Sequence, residues 1–197
     1  NPKSIWEMPN GQTIHFYPTN KIRIPVDKNN IIKNKVVAAK YNDSIVSYID
    51  IDIKGNALYK NRLMMLDLIA NNNWKRPVYF SPGAFEDEDY LWMKNYLQLE
   101  GMIYKLVPIK TKVDKDTNPM DMGGLDADKM YSIVMKWDWG NSRGDIYHDP
   151  ETRKNSISYR SVLSRLMDKL IAEGQLDKAK KVIELSLTEM PVEKFGY

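Results

Sequence analysis

Two histidines, twenty-six carboxylates and no cysteine set the chemistry open to this chain. His15 and His148 are the only side chains whose ordinary titration falls near neutral pH, and they stand far apart in unlike contexts. His148 adjoins Asp149-Pro150, a turn position where an imidazole commonly bonds backbone. Without cysteine there is no disulfide scaffold and no thiolate metal site, which leaves cytosol and periplasm equally open. The patterns H-E-x-x-H, G-x-S-x-G, the P-loop and G-x-G-x-x-G do not occur. We therefore expect no catalytic residue, no metal ligand and no cofactor in this chain.

Two clusters could still bind something. Asp50-Ile51-Asp52 has the spacing of the D-x-D metal and nucleotide-sugar motif of some glycosyltransferases, yet it also reads as the solvated face of a strand. Trp137, Asp138 and Trp139 stand near Tyr147 and His148, and this aromatic group is the candidate binding site. Stacking of a sugar or peptide on those rings is one reading. The other is packing that docks a helical tail on the body of the protein, since Trp is highly buried on average. A third group, Glu86, Asp87, Glu88 and Asp89, fits a helix start, where carboxylates complement exposed N–H groups and the positive end of the dipole.

The elements that would position these residues follow from periodicity. Pro2, Pro9, Pro18 and Pro25 punctuate the first 57 residues, which suit edge strands and loops. Ile22, Ile24 and Val26 alternate with Arg23 and Pro25, and a second alternation through Ile45, Ile49, Ile51 and Ile53 turns Tyr48, Asp50 and Asp52 to the other face. From Tyr59 the period becomes helical, with Leu63, Leu66 and Ala70 on one stripe broadened by Met65 and Ile69. Asn71-Asn72-Asn73 ends that helix, because Asn competes for backbone bonds and tolerates left-handed conformation. Val78-Tyr79-Phe80 is a short strand, Tyr90 to Leu97 a helix closed by Gly101, and Met102 to Val107 a second strand. This order predicts a βαβ unit with parallel strands and a right-handed crossover.

Lys110 to Gly124 is polar, contains Pro119 and Gly123-Gly124, and marks a boundary. Beyond it, Leu163, Leu166 and Leu170 precede Gly174, Ala179 and Pro191, spaced as in the second half of a tetratricopeptide repeat. Met167 occupies a position where that repeat usually has a small residue. One repeat cannot bury both its faces, so we expect docking on the body or further helices. The fold class is thus α/β: a small mixed sheet with a βαβ unit covered by helices over residues 1–124, then a tetratricopeptide-like hairpin within residues 125–197.

Composition agrees with a globular chain, at 43% hydrophobic and 28% charged residues. The formal net charge is +3 and the basic residues are spread singly along the sequence, which argues against nucleic acid as a partner. No run approaches the roughly 18 consecutive apolar residues that a membrane helix needs. The start at Asn1-Pro2 without Met reads as part of something longer.

Several segments carry a resemblance. Residues Leu63 to Phe80, with Asn71-Asn72-Asn73-Trp74-Lys75-Arg76-Pro77 at their centre, and Tyr90 to Gly101 are similar to the soluble C-terminal part of a family of large bacterial membrane proteins. Ile24 to Lys28, Trp137 to Gly140 and Arg153 to Ser156 resemble it as well. That family, common in Bacteroidetes, carries a domain of unknown function and is related to polytopic glycosyltransferases of the protein O-mannosyltransferase type. The resemblance implies an accessory domain on the periplasmic side of the inner membrane. Its partner would be the membrane-embedded N-terminal part of the same protein, and it would position an acceptor protein, a glycan or a partner subunit without being catalytic. Two alternatives stand beside it: a free-standing protein- or carbohydrate-binding module, and a soluble glycoside hydrolase using Asp50, Asp52 or the acids near Tyr147.

Overall fold

The computed structural model describes residues 4–16, 19–53, 58–81, 89–112 and 122–196. The acidic run at residues 86–88 lies outside the described residues. Among the described residues, three small antiparallel sheets and six α-helices make a mixed α/β fold with a helical C-terminal region.

The first sheet is a hairpin of β1 (Ser4–Glu7) and β2 (Thr13–Phe16). The second pairs β3 (Lys21–Pro25) with β4 (Tyr48–Asp52), Ile22 opposite Ile51 and Ile24 opposite Ile49. Its period-two pattern works as the sequence predicts: Ile49, Ile51 and Ile53 are buried while Tyr48, Asp50 and Asp52 face solvent. Between these strands, Asp27 caps α1 (Lys28–Lys33) by accepting from the Asn29 and Asn30 amides.

Helix α2 (Lys60–Asn71) matches its expected span, and Leu66 and Ile69 face the core. Its Tyr59 to Ala70 stripe is shallower than expected, however, since Tyr59, Leu63 and Ala70 are exposed. The junction after it is tight. Asn73 and Trp74 adopt φ of 47° and 58°, and the Asn72 side chain donates to the Arg76 carbonyl at 2.7 Å. Trp74 is buried, and its carbonyl accepts from the Asn34 amide side chain at 3.0 Å, which ties this loop to the end of α1.

The third sheet corrects the βαβ expectation. Strands β5 (Tyr79–Phe80), β6 (Leu97–Glu100) and β7 (Ile103–Leu106) lie in the order β5-β7-β6, and β7 is antiparallel to both neighbours. The expected strand neighbours do pair, but in opposite directions. The strand running parallel to β5 is β6, and β7 separates the two. The cause is Leu97–Glu100: these four residues alternate Leu, Gln, Leu, Glu and leave the preceding segment as a 3-10 helix, Asp89–Tyr96. Gly101 therefore ends a strand and not a helix. Glu100 pairs with Ile103, so Gly101 and Met102 form a two-residue hairpin loop, in which the positive φ of Gly101 (66°) suits a primed turn.

Gly123 and Gly124 are likewise part of the sheet and not simply a loop. Gly124 donates to the Leu97 carbonyl and accepts from the Leu99 amide, forming a parallel bridge along the free edge of β6. A Cβ at Gly123 would meet the Leu97 carbonyl oxygen at 2.7 Å, and its φ is +79°. Only glycine fits such an approach.

Helix α3 (Ala127–Val134), capped by Asp126, packs on β6 and hands the chain to α4 (Pro150–Ala172), α5 (Leu176–Glu189) and α6 (Val192–Phe195). The α4–α5 turn is a Schellman motif. Gly174, at φ 72°, donates to Ile171 and Gln175 donates to Leu170. Leu163, Leu166, Leu170, Ala179 and Val182 are buried, as the repeat spacing implies. One face of the hairpin docks on α3, whereas Ile171, Leu176, Ile183 and Leu187 stay exposed. No helix among the described residues is long and apolar enough to cross a membrane.

Candidate functional site

Strands β6 and β7 carry two unlike faces. Leu97, Leu99, Tyr104 and Leu106 pair across the hairpin into the core, while Gln98 stands opposite Lys105, with Glu100 beside it, on the other face. Tyr79 on β5 extends that row, since it is the partner of Lys105 on the far side. All three polar side chains on the hairpin are buried, because the chain from α1 through Val36 to the 3-10 helix Ala39–Ser44 lies over them.

The polar groups answer one another. Glu100 accepts from the Tyr79 hydroxyl at 2.9 Å and from the Gln98 amide at 3.0 Å, and Lys105 Nζ stands 3.6 Å from its Oε1. The same ammonium donates to the Val36 carbonyl at 2.7 Å. Burial, reinforced by the bond to Glu100, pushes the Tyr79 phenol up to about 12. It therefore stays a donor throughout the neutral range. Above these side chains opens a cleft of about 410 Å³, walled by Val36, Ala38, Asn42, Asp126 and Lys129. A carboxylate has about four acceptor sites and an ammonium three donors, so this floor keeps bonding capacity for hydroxyl or amide groups after its internal bonds are made.

The rim is fixed by a charged clip. Asp128 accepts from Lys178 of α5 at 2.8 Å and from Lys40 at 2.9 Å, and these two bonds hold its carboxyl down at about 2. Lys40 also stands 3.4 Å from the buried Asp126. A second cleft, about 570 Å³, lies between the β6 edge and α4. Arg165 spans that boundary by donating to the Met122 and Gly123 carbonyls.

The five residues read from sequence as a site fall into separate groups. Trp137 and Trp139 meet edge to face at 5.6 Å and both contact Tyr159 of α4. Both rings are half-buried, with Trp137 close to the Gly101 turn. The indole N–H of Trp139 is buried with no partner among the described residues. Asp138 is exposed and accepts from the Gly140 amide, closing a turn. His148 is buried against Phe195 at 4.3 Å, and its Nε2 lies 2.8 Å from the Ser142 carbonyl. Tyr147 is 83% exposed.

Asp50 and Asp52 share a solvent face, but Asp50 is engaged. It forms a two-pronged ion pair with Arg23, its cross-strand partner, at 2.6 and 3.1 Å, and that bond lowers its carboxyl below the usual range. Among the described residues, no three His, Asp or Glu side chains are placed to hold a metal ion.

A helix running on to Gly101, as periodicity predicts, would not set Gln98 and Glu100 beside Lys105 of the following strand; the observed hairpin does. The cue was present as two alternating runs around Gly101-Met102.

A family model described as TMEM260-associated domain 2 matches residues 1–129, which contain every residue lining the cleft over β6 and β7. No curated protein and no solved structure matches the chain. With the match extending over more than half of its 197 residues, the chain belongs to the TMEM260-associated domain 2 family, whose members are linked to a membrane protein.

Proposed function

We propose that this chain is an accessory, non-catalytic domain of a membrane glycosyltransferase-like protein, placed on its periplasmic side, and that it positions a glycan or glycan-bearing acceptor in the cleft over β6 and β7. One observation carries this reading: Gln98, Glu100 and Lys105 are buried charged and amide groups on the floor of an open cleft that lies wholly within the family-matched residues. Buried ion pairs are seldom retained for stability, because apolar replacements of similar volume are often neutral or stabilising. Donors and acceptors arranged around a concave floor suit a polyhydroxylated ligand. The glycosyltransferase setting and the membrane-embedded partner rest on the family resemblance, and the catalytic carboxylate would belong to that other part.

The double variant Glu100→Leu, Lys105→Met tests the assignment. The 197-residue chain should show mannose-oligosaccharide-dependent amide shifts at Gln98, Asn42 and Lys129 in heteronuclear spectra. The variant should keep the fold and lose those shifts. Retained shifts in the folded variant, or none in the parent chain with both mannose oligosaccharides and serine/threonine-rich acceptor peptides, would remove the cleft from the function. Trp137→Ala separates the aromatic cluster: loss of folding marks it as the dock between body and tail, whereas selective loss of glycan binding moves the site there.

A further inference from the structure

The basic residues that are scattered in sequence meet at one place in the fold. The bond from Asn34 to the Trp74 carbonyl brings the end of α1 against the junction after α2, and so gathers Lys33 and Lys35 with Lys75 and Arg76. All four are exposed, and none has a carboxylate within ion-pair distance among the described residues. The nearby acids are engaged elsewhere: Asp27 caps the opposite end of α1, and Asp67 accepts from Asn71. Each of the two helix ends that lead into this junction carries an exposed apolar side chain. Ile32, in the last turn of α1, is 45% exposed, and Leu68, in the last turn of α2, is 59% exposed. Lys35, Asn73 and Trp74 turn the chain here in left-handed conformation.

We propose that this face docks on an anionic lipid surface, with Lys33, Lys35, Lys75 and Arg76 at the level of the phosphates and Ile32 and Leu68 dipping below them. Unpaired cations ringing exposed aliphatic side chains are the signature of a segment that lies on a membrane. The family's link to a membrane protein supplies the surface within reach. The small number of charges and the aliphatic centre favour lipid over nucleic acid, whose recognition uses longer basic tracks and stacking rings. Ile32 and Lys35 also line the β6–β7 cleft, so this face adjoins it, while Lys33, Lys75, Arg76 and Leu68 lie outside that lining.

Co-sedimentation with vesicles tests it. The chain should pellet with phosphatidylcholine–phosphatidylglycerol vesicles at low salt and not with phosphatidylcholine alone. Each of Lys33→Gln, Lys35→Gln, Lys75→Gln and Arg76→Gln should lower the partition about fivefold, the change corresponding to about 1 kcal/mol per basic residue. Leu68→Ser should weaken binding without altering its salt dependence. Circular dichroism should be unchanged in all five variants, and the glycan-dependent shifts should be unchanged in the four that leave the cleft-lining Lys35 in place. Equal binding to neutral vesicles, no binding to anionic ones, capture of polyuridine in their place, or glycerophosphate binding as tight as vesicle binding would each overturn the proposal.

Discussion

The α4–α5 hairpin and the β6–β7 hairpin bury their residues by opposite rules. On the helices the large enclosed side chains are aliphatic, with Leu163, Leu166, Leu170 and Val182 at 0% exposure, and the buried polar groups are the small hydroxyls of Ser156 and Ser186. Between the strands and their covering loop, Gln98, Glu100 and Lys105 are enclosed as polar groups. The first interface tolerates any residues of the right volume, because dispersion and area burial have no direction. The second depends on which atom meets which, because each buried donor or acceptor left alone costs its desolvation. A molecule built for stability alone would use only the first rule.

The comparison can be broken by substitution. Glu100→Ala should have the largest effect, about 3–5 kcal/mol, because it leaves Lys105 a buried cation with one partner fewer; urea unfolding of the single variant measures it. The apolar double variant at Glu100 and Lys105 should recover most of that loss, and if it does not, the polar floor is structural after all. Leu166→Ala should cost about 3 kcal/mol through the cavity it opens, with no change in ligand binding. Asp149→Ala should cost about 1 kcal/mol, since Asp149 caps α4 by accepting from the Glu151 and Thr152 amides; thermal melting with helical circular dichroism reads it.

The smallest effect joins the two regions. Asp128 is held at about 2 when folded, below its unfolded value near 3.9. A depressed carboxylate adds stability above the unfolded value, and that addition is lost as pH falls from about 4 to about 2. Asp128 is half-exposed, so screening reduces its contribution to about 0.5 kcal/mol. Asp128→Asn should abolish that part of the acid transition, and high salt should blunt it, when urea midpoints are compared across pH.

Sequence periodicity revealed the elements that obey one rule at a time. Helix α2, the alternation in β3 and β4 and the α4–α5 turn at Gly174 all fall where the pattern places them. The pattern misled where one residue served two grammars. Gly101 can stop a helix or turn a hairpin, and the aromatic residues before Leu97 suit a helix as well as the 3-10 segment that forms. That ambiguity reversed the relation of β5 to β7 and concealed the polar cleft. The gathering of Lys33, Lys35, Lys75 and Arg76 was out of reach for a different reason, because it depends on a contact between residues 34 and 74.

The Gly101-Met102 turn has a consequence for the order of assembly. A hairpin closed by two residues zips within about 1–10 μs, whereas Lys105 and Val36, bonded in the native state, are 69 residues apart and must find each other by slow loop closure. During refolding the charged row on β6 and β7 should therefore form while still wet, and the N-terminal cover should descend on it last. Pulse-labelled hydrogen exchange should show β6 and β7 amides protected before those of residues 36 and 37. The segment that roofs the cleft would then be the part of the body most readily lifted, a door hung on the last bond to form.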